Sequence, residues 1–349
     1  MKDSSRNQII DIAKGIGILL VVYGHCGLPF SGSLILYFHM PLFFFLSGWT
    51  FKEKDTVREY IIKRIRRLYL PFVLINAFFL FLNPILFAMG FEKNKFGCTE
   101  ILTNAAKIIS FQNCEPIVSQ CWYLLGLFSV SILFKIIHSV IGKKAVIIYS
   151  FFAVLGLLMV HSDIRLQYGN CDLLNVVLIS SVFFMVGYLA KYNINRNSSS
   201  DLLKCILGGG LIILFFLTCK YKFHYESDFR SNMFTSVFLI YPAAFLGILL
   251  VFLVSKVIRE NRIKSVFTFF GRNTMPIFLF HTIGFKIVDL VMVRFFGFNK
   301  PLYGWGHVNA GVAWNCVHFA AGIVLPLFFI IIIQKIATKV KSYENGIIK

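Results

Sequence analysis

The sequence predicts an all-α, polytopic membrane protein with about ten transmembrane helices and both termini in the cytoplasm. Hydrophobic residues make up 57% of its 349 residues and charged residues only 15%, whereas a soluble domain has about 25% charged residues. The 40 phenylalanines are far more than one soluble core would use. Apolar runs of roughly 18 or more residues recur along the chain, and each is long enough to cross a hydrocarbon core of about 30 Å.

Ten spans account for these apolar runs. They lie at about 9–28, 33–51, 69–91, 120–141, 145–161, 172–190, 203–219, 234–255, 266–293 and 311–334. The ninth is the least regular, because Gly271, Pro276 and Gly284 interrupt it. Such breaks persist in a membrane where protein or a water-filled cavity covers the freed backbone groups.

The lysines and arginines set the orientation, because cytoplasmic connections of membrane proteins hold an excess of them. With the N-terminus in the cytoplasm, the inner segments hold 22 of the 35, the outer segments hold nine, and four lie within spans. The net charge of +19 therefore reflects membrane topology and does not indicate nucleic-acid binding. We expect the protein to lie in the lipid bilayer of the inner (plasma) membrane.

The predicted organisation is a single transmembrane domain over residues 1–349 with no appended soluble domain. The longest connection, about 92–119, has fewer than 30 residues, and no internal repeat typical of transporters is visible. The eight cysteines show no CxxC or zinc-finger spacing, so no metal site is expected. Cys98 and Cys114 share one predicted outer loop, and whether they form a disulfide stays open, as does the oligomeric state.

The first span contains three polar side chains that are costly in lipid. Asp11 and Lys14 are three residues apart and therefore neighbours on one helix face. Lys14 and His25 are eleven apart, so they share a face and differ in depth by about 16 Å. A simpler structural interpretation is that Lys14 extends to the membrane interface and His25 forms a hydrogen bond with a neighbouring helix. The functional reading is a polar track along the inside of the helical domain.

The second span contains His39, which lies at nearly the same depth as His25. Counted from the short outer turn near Ser31, the two histidines differ in depth by only about 3 Å. Two histidines at one depth in an antiparallel hairpin suggest a shared polar site. Two independently satisfied histidines are the alternative.

Three further groups of residues have both a functional and a purely structural interpretation. Arg64 and Arg67 are three apart on a predicted helix, where their guanidinium groups match phosphate oxygens, although any cytoplasmic connection collects basic residues. Trp122 opens the fourth span, where an interfacial aromatic belt is the simpler explanation. Arg272 lies near the inner face with His281 roughly 13 Å deeper, which repeats the order of Lys14 and His25.

No Walker A, GxSxG or HExxH motif is present. The motifs that are present resemble, in order and along the whole chain, those of the acyltransferase family 3 membrane proteins, particularly the branch of fucose 4-O-acetylase-like proteins. They are Asp11-x-x-Lys14-Gly15 with Gly24-His25; Phe38-His39-Met40-Pro41-Leu42-Phe43 with Ser47-Gly48; Arg64-x-x-Arg67 with Pro71-Phe72; Trp122-Tyr123-Leu124; and Gly271-Arg272-Asn273 through His281.

The resemblance implies an acyltransferase that moves groups other than aminoacyl groups, with acetyl-CoA as donor substrate and no permanently bound cofactor. Lys14, Arg64, Arg67 and Arg272 would hold the donor phosphates at the inner face. His25 would act as general base on a sugar hydroxyl or would itself receive the acetyl group. His39 would be the second catalytic histidine, and the supporting residues would be Asp11, Trp122 and His281.

The sequence departs from the family in one of these positions. The family often has arginine where this chain has Lys14, and lysine makes a phosphate contact without the bidentate fork. Larger relatives also have an extracytoplasmic domain that this chain lacks. The implied acceptor is a cell-surface glycan or its lipid-linked precursor.

Two other classes of function remain in view. A transporter or flippase for a lipid-linked glycan also needs about ten helices and a polar interior, but it would not consume acetyl-CoA. A sensor or structural membrane protein gives no reason for Lys14 and His25 to share a helix face.

Overall fold

The computed structural model describes residues 7–29, 34–112, 115–163, 173–193, 202–299, 302–303 and 306–347. Helices dominate these residues. They are α1 Gln8–His25, α2 His39–Trp49, α3 Val57–Arg64, α4 Leu70–Phe81, α5 Asn83–Ala88, α6 Cys98–Ile109, α7 Trp122–Ile141, α8 Ala145–His161, α9 Leu173–Asn193, α10 Leu202–Tyr221, α11 Ile240–Arg259, α12 Lys264–Arg272, α13 Thr274–Phe295 and α14 Val312–Ile347. Cys114 lies outside the described residues, so the possible disulfide with Cys98 does too.

Within the described part of the chain, seven helical segments are long and apolar enough to cross a membrane. They are Gln8–His25, Pro116–Ile141, Leu173–Tyr192, Leu202–Tyr221, Val237–Arg259, Thr274–Phe295 and Val312–Ile332. The protein is therefore a helical multi-pass membrane protein. Ala145–His161 is a shorter apolar helix at the place of the fifth predicted span.

The second, third and ninth predicted spans differ from the helices observed. The regular helix of the second begins only at His39. The third is divided, because α4 ends at Phe81 and α5 begins with Asn83-Pro84, where proline has no N–H for a continuing helix. The ninth is divided at Asn273 rather than at Pro276, which lies in the first turn of α13 where proline is tolerated.

Glycines allow two pairs of helices to cross at backbone contact. A Cβ on Gly15 of α1 would lie 2.1 Å from the carbonyl oxygen of Phe267, and one on Gly271 would lie 1.9 Å from that of Asp11. Helices in membranes associate through such small residues because lipid supplies no hydrophobic force between them. The crossing fixes α12 against the first half of α1.

The same device joins α2 to α9. A Cβ on Gly48 would lie 1.9 Å from the carbonyl oxygen of Phe184, and one on Gly187 would lie 2.0 Å from that of Phe45. A phenylalanine-rich core surrounds these crossings, and its largest fully buried side chains include Phe44, Phe72, Phe134, Phe183, Phe184 and Phe285. The core thus surrounds both crossings, α1 with α12 and α2 with α9.

A short β-hairpin lies between α10 and α11. Its strands, β1 Ser227–Asp228 and β2 Met233–Phe234, pair antiparallel. The turn is held by the Asp228 carboxylate, whose Oδ1 accepts a hydrogen bond from the backbone N–H of Arg230 at 2.9 Å. Tyr37, just before α2, donates its hydroxyl hydrogen to the backbone oxygen of Tyr225 at 2.6 Å. This bond attaches the hairpin to the end of the helical domain near His39.

Candidate active site

One continuous helix presents the first set of polar residues. The side chain of Asn7 accepts a hydrogen bond from the backbone N–H of Ile9 at 3.1 Å and so caps the start of α1. No break interrupts α1 between Lys14 and His25, the last residue of the helix. At 1.5 Å rise per residue, the two side chains leave the helix about 16 Å apart.

Three histidines from three helices meet at the end of α1. The ring of His25 lies 6.3 Å from that of His39, edge to face, and stacks on that of His281 at 5.5 Å. His39 and His281 are buried, whereas His25 is partly exposed. The sequence placed His25 and His39 at one depth; the structure adds His281 to the same cluster.

Hydrogen bonds to the backbone orient two of these rings. Nδ1 of His39 lies 2.9 Å from the carbonyl oxygen of Ile35, and Nδ1 of His281 lies 2.9 Å from that of Phe278. Because a carbonyl only accepts, Nδ1 is the protonated nitrogen of each neutral ring and Nε2 holds the lone pair. Nε2 of His281 has no hydrogen-bond partner among the described residues.

A cavity of about 270 Å³ adjoins the histidine cluster. Its polar lining comes from five segments of the chain: His25, His39, Ser119, Gln120, Ser227, Asp228, Arg230 and Thr282. The volume is near the lower end of the ~300–1,000 Å³ typical of small-molecule sites. Trp122 also lines it and is 8% exposed, so its side chain faces this cavity.

Gln120 is held rigidly in the cavity wall. Its Nε2 donates to the backbone oxygen of Leu279 and to Oγ1 of Thr282, both at 3.2 Å. Its buried Oε1 has no hydrogen-bond partner among the residues that the structure describes. An oriented, unused acceptor beside a histidine is suited to hold a hydroxyl group.

At the other end of α1, the close helix crossing brings two distant motifs together. Nε of Arg272 lies 3.8 Å from Oδ2 of Asp11. The Asp11 side chain is buried, whereas the Arg272 side chain is 61% exposed. Lys14 lies one helical turn from Asp11 and is partly exposed. The first and ninth predicted spans thus contribute cations to one end of the domain.

Arg64 and Arg67 lie on a segment that packs along α7. Tyr60 contacts Phe51 at 5.3 Å, and Nη2 of Arg64 donates to the Tyr60 hydroxyl at 2.5 Å. The chain then passes through a π-helical turn, Ile65–Tyr69, a feature frequent at functional sites. Arg64 is half-buried and Arg67 is exposed.

The family model described as "Acyltransferase domain", acyltransferase family 3, matches residues 7–335. The chain belongs to this acyltransferase family. The match confirms the family predicted from the motifs, while the fucose 4-O-acetylase-like branch stays a prediction. A search of curated proteins and a search of solved structures returned no match.

In this acyltransferase a second buried polar cluster, which the sequence analysis did not identify, lies between α13 and α14. Asp289 Oδ1 lies 2.9 Å from Nε2 of His318, and Asp289 Oδ2 lies 3.4 Å from Nζ of Lys286. Asp289 and His318 are fully buried. The sequence signal was present, because a lysine and an aspartate three residues apart within a span are rarely without a role.

Among the described residues, no group of three His, Cys, Asp or Glu side chains is arranged to hold a metal ion. In the histidine cluster, the backbone orients Nδ1 of His39 and of His281, and Nε2 of His281 has no hydrogen-bond partner in the described part of the chain.

Proposed function

We propose that this acyltransferase is a membrane O-acetyltransferase, which moves an acetyl group from cytoplasmic acetyl-CoA to a hydroxyl of a sugar in a cell-surface glycan or its lipid-linked precursor. The observation that supports it most is the pairing, along one helix, of a cationic end with a histidine-lined cavity. Acetyl-CoA has the same two ends: a highly charged nucleotide and a neutral thioester on a long, thin arm.

The cationic end is the proposed donor phosphate site. Lys14 and Arg272 lie on the crossed helices α1 and α12, and the buried Asp11 carboxylate orients Arg272. Arg64 and Arg67 lie on the separate segment that packs along α7, and we propose that they add two more cations to this site. Arginine forks suit phosphate oxygens, and Lys14 adds a point charge. The pantetheine arm then follows α1 over about 16 Å to His25.

At the thioester, His25 is the proposed general base. It takes the proton of the acceptor hydroxyl as that oxygen attacks the acetyl carbonyl carbon, and the tetrahedral intermediate then breaks its C–S bond. The proton on His25 passes to the departing sulfur, so the products are the acetyl ester and CoA thiol. In the two-step variant an imidazole nitrogen of His25 attacks the acetyl carbon, the C–S bond breaks, and the sulfur leaves as CoA thiol with the imidazole proton; the acceptor hydroxyl oxygen then attacks the acetyl carbon of acetyl-His25, and its proton returns to the imidazole. His39 and His281 hold the ring in place by their edge and face contacts.

The polar cavity beside His25 is the proposed acceptor site. A sugar ring presents several hydroxyl groups, and the cavity offers the unused Gln120 Oε1, the Ser119 hydroxyl and the side chains of Asp228 and Arg230. Trp122, which also lines the cavity, supplies an aromatic ring suited to contact the apolar part of a sugar. Because the lining has both hydrogen-bond donors and acceptors, it favours a group with several hydroxyls over the apolar part of a lipid.

The proposed topology places donor and acceptor on opposite sides of the inner (plasma) membrane. About ten crossings with both termini inside put the cationic end at the cytoplasm, where acetyl-CoA is found, and the β-hairpin outside. The charge bias of the connections supports this orientation.

Stoichiometry separates the proposal from the transporter alternative. The purified protein in nanodiscs is given acetyl-CoA and glycans extracted from a strain lacking the gene. We expect CoA thiol to appear in equal amount to acetylated glycan detected by mass spectrometry. A protein that binds or moves the glycan without releasing thiol, across the glycan fractions, contradicts the proposal and favours a transporter.

A further inference from the structure

The cluster between α13 and α14 contains ionisable side chains that are buried inside the helical domain, where a charge is costly. Lys286 is 5% exposed, and Asp289 and His318 are 0% exposed. Each ring nitrogen of His318 faces an oxygen, Nδ1 at 2.9 Å from the Trp314 carbonyl and Nε2 at 2.9 Å from Asp289. Charges inside a membrane domain are retained where they serve a function.

The cluster holds the loop that joins α13 to α14. Nζ of Lys286 donates to the backbone oxygens of Leu302 at 2.9 Å and Gly306 at 2.5 Å. Oδ1 of Asp289 accepts from the backbone N–H of Val308 at 2.8 Å. The loop on either side of His307 is therefore fixed by two side chains of α13.

The same loop and α14 contact the chain at Gly27, two residues beyond the end of α1 at His25. Nδ2 of Asn315 donates to the backbone oxygen of Gly27 at 2.8 Å. Gly27 has a positive φ of +72°, and a Cβ there would lie 2.6 Å from Nε2 of His307. The His307 ring lies 4.8 Å from that of His318, which connects these contacts to the buried cluster.

We propose that Lys286, Asp289 and His318 are positioning residues for His25, acting through the loop that holds the end of α1. The proposal rests on the proposed function for the role of His25 in chemistry. It places none of the three in contact with substrate. Burial, with His318 beside it, lowers the pKa of the His307 imidazole that lies against Gly27.

A positioning role differs measurably from a merely structural one. The donor phosphate site lies about 16 Å away at the other end of α1, so acetyl-CoA affinity should not change when the cluster is altered. The turnover number should fall, because a misplacement of about 1 Å can cost up to about a hundredfold in rate. A structural role would reduce folding and donor affinity together.

Two glycines provide a matched test. Gly27→Ala introduces a Cβ against His307, whereas Gly297→Ala at φ +71° introduces one with nothing within 4 Å. Because the two glycines have nearly equal φ values, the difference between the variants reports the contacts of the added Cβ with His307 and Asn315. We expect Gly27→Ala to lower kcat about tenfold or more, with acetyl-CoA KM unchanged, and Gly297→Ala to match the wild type.

Asp289→Asn tests the cluster itself, and a readout without turnover keeps the two proposals separable. Carbethoxylation of His25, followed by mass spectrometry on the full-length protein in nanodiscs, should change severalfold in Gly27→Ala and Asp289→Asn but not in Gly297→Ala. Equal His25 reactivity in all three variants overturns the positioning proposal. Changed reactivity in a protein that releases no CoA thiol supports positioning and overturns the proposed function instead.

Discussion

The crossing of α1 and α12 makes a specific prediction about Gly271→Ala. The added Cβ would lie 1.9 Å from the Asp11 carbonyl oxygen. Restoring an ordinary contact requires the helices to separate by roughly 1.5 Å. The Asp11 oxygen belongs to the backbone, and the added Cβ is attached directly to the backbone of residue 271, so neither can move as the end of a flexible side chain would. Overpacking of this kind costs about 1–3 kcal/mol.

The same displacement should weaken donor binding. Arg272 follows Gly271 directly, and its 3.8 Å approach to Asp11 would be lost. The ion pair itself adds little stability, about 0–1 kcal/mol, because the arginine is largely exposed. A charged contact to phosphate is worth about 1.5–3 kcal/mol. If the displacement of Arg272 removes that contact, we expect acetyl-CoA KM to rise about ten- to a hundredfold.

Gly210→Ala is the matched control for this substitution. Gly210 lies within α10, and a Cβ there meets nothing within 4 Å, so the protein should be unchanged or more stable by up to ~1 kcal/mol. Melting temperature in nanodiscs and the acetyl-CoA dependence of thiol release are measured for both variants. Equal melting temperatures and equal KM values would refute the reasoning about the crossing.

Three further predictions concern the donor site, the topology and the outer loop. Arg64→Ala and Arg67→Ala should each raise acetyl-CoA KM about ten- to a hundredfold in a folded protein; unchanged KM in both would make them topology signals only. Cys98 is exposed and, kept as the sole cysteine, should react with an impermeant maleimide in intact cells; labelling only after permeabilisation reverses the orientation. Burial, with Glu92 nearby, raises the pKa of the Glu115 carboxyl from 4.5 to about 7. Folding therefore favours the protonated carboxyl, and the stability of the protein should fall as the pH rises from about 4.5 to about 7. Glu115→Gln should remove that fall and stabilise the protein at pH 8, as melting curves across pH would test.

The polar track of α1 was predictable because it depends on local geometry alone. A continuous helix repeats every 3.6 residues, so the spacing of Lys14 and His25 fixes their shared face and separation. The depth of His39 followed from the shortness of the turn between the first two spans. His25 and His39 are indeed neighbours, with ring centres 6.3 Å apart.

Contacts between distant helices were not predictable from one sequence. Gly15 and Gly271 are recognisable as small residues, but the pattern does not state that they face each other. The pairing of Asp11 with Arg272 depends on that crossing. Helix ends were similarly hidden, since the break after Phe81 depends on Pro84 in a run that hydropathy alone reads as continuous.

The cluster around Asp289 shows a different limit. Lys286 and Asp289 stand out as charges within a span, and His318 lies within the tenth predicted span. Their partners are backbone groups of the α13–α14 loop and the end of α1. Backbone acceptors have no sequence signature, so the function of the charges became visible only in three dimensions.

In the proposed mechanism His25 performs the chemistry, while the cations at the far end of α1 bind the donor. The most direct measurement is acetyl transfer and acetyl-CoA binding by His25→Ala in the same nanodisc preparation, with His39→Ala alongside. We predict that His25→Ala abolishes transfer, retains acetyl-CoA affinity and stays folded, and that His39→Ala is less impaired. A well-inserted His25→Ala protein that transfers acetyl groups at a near-normal rate would contradict the account and move the catalytic assignment to His281.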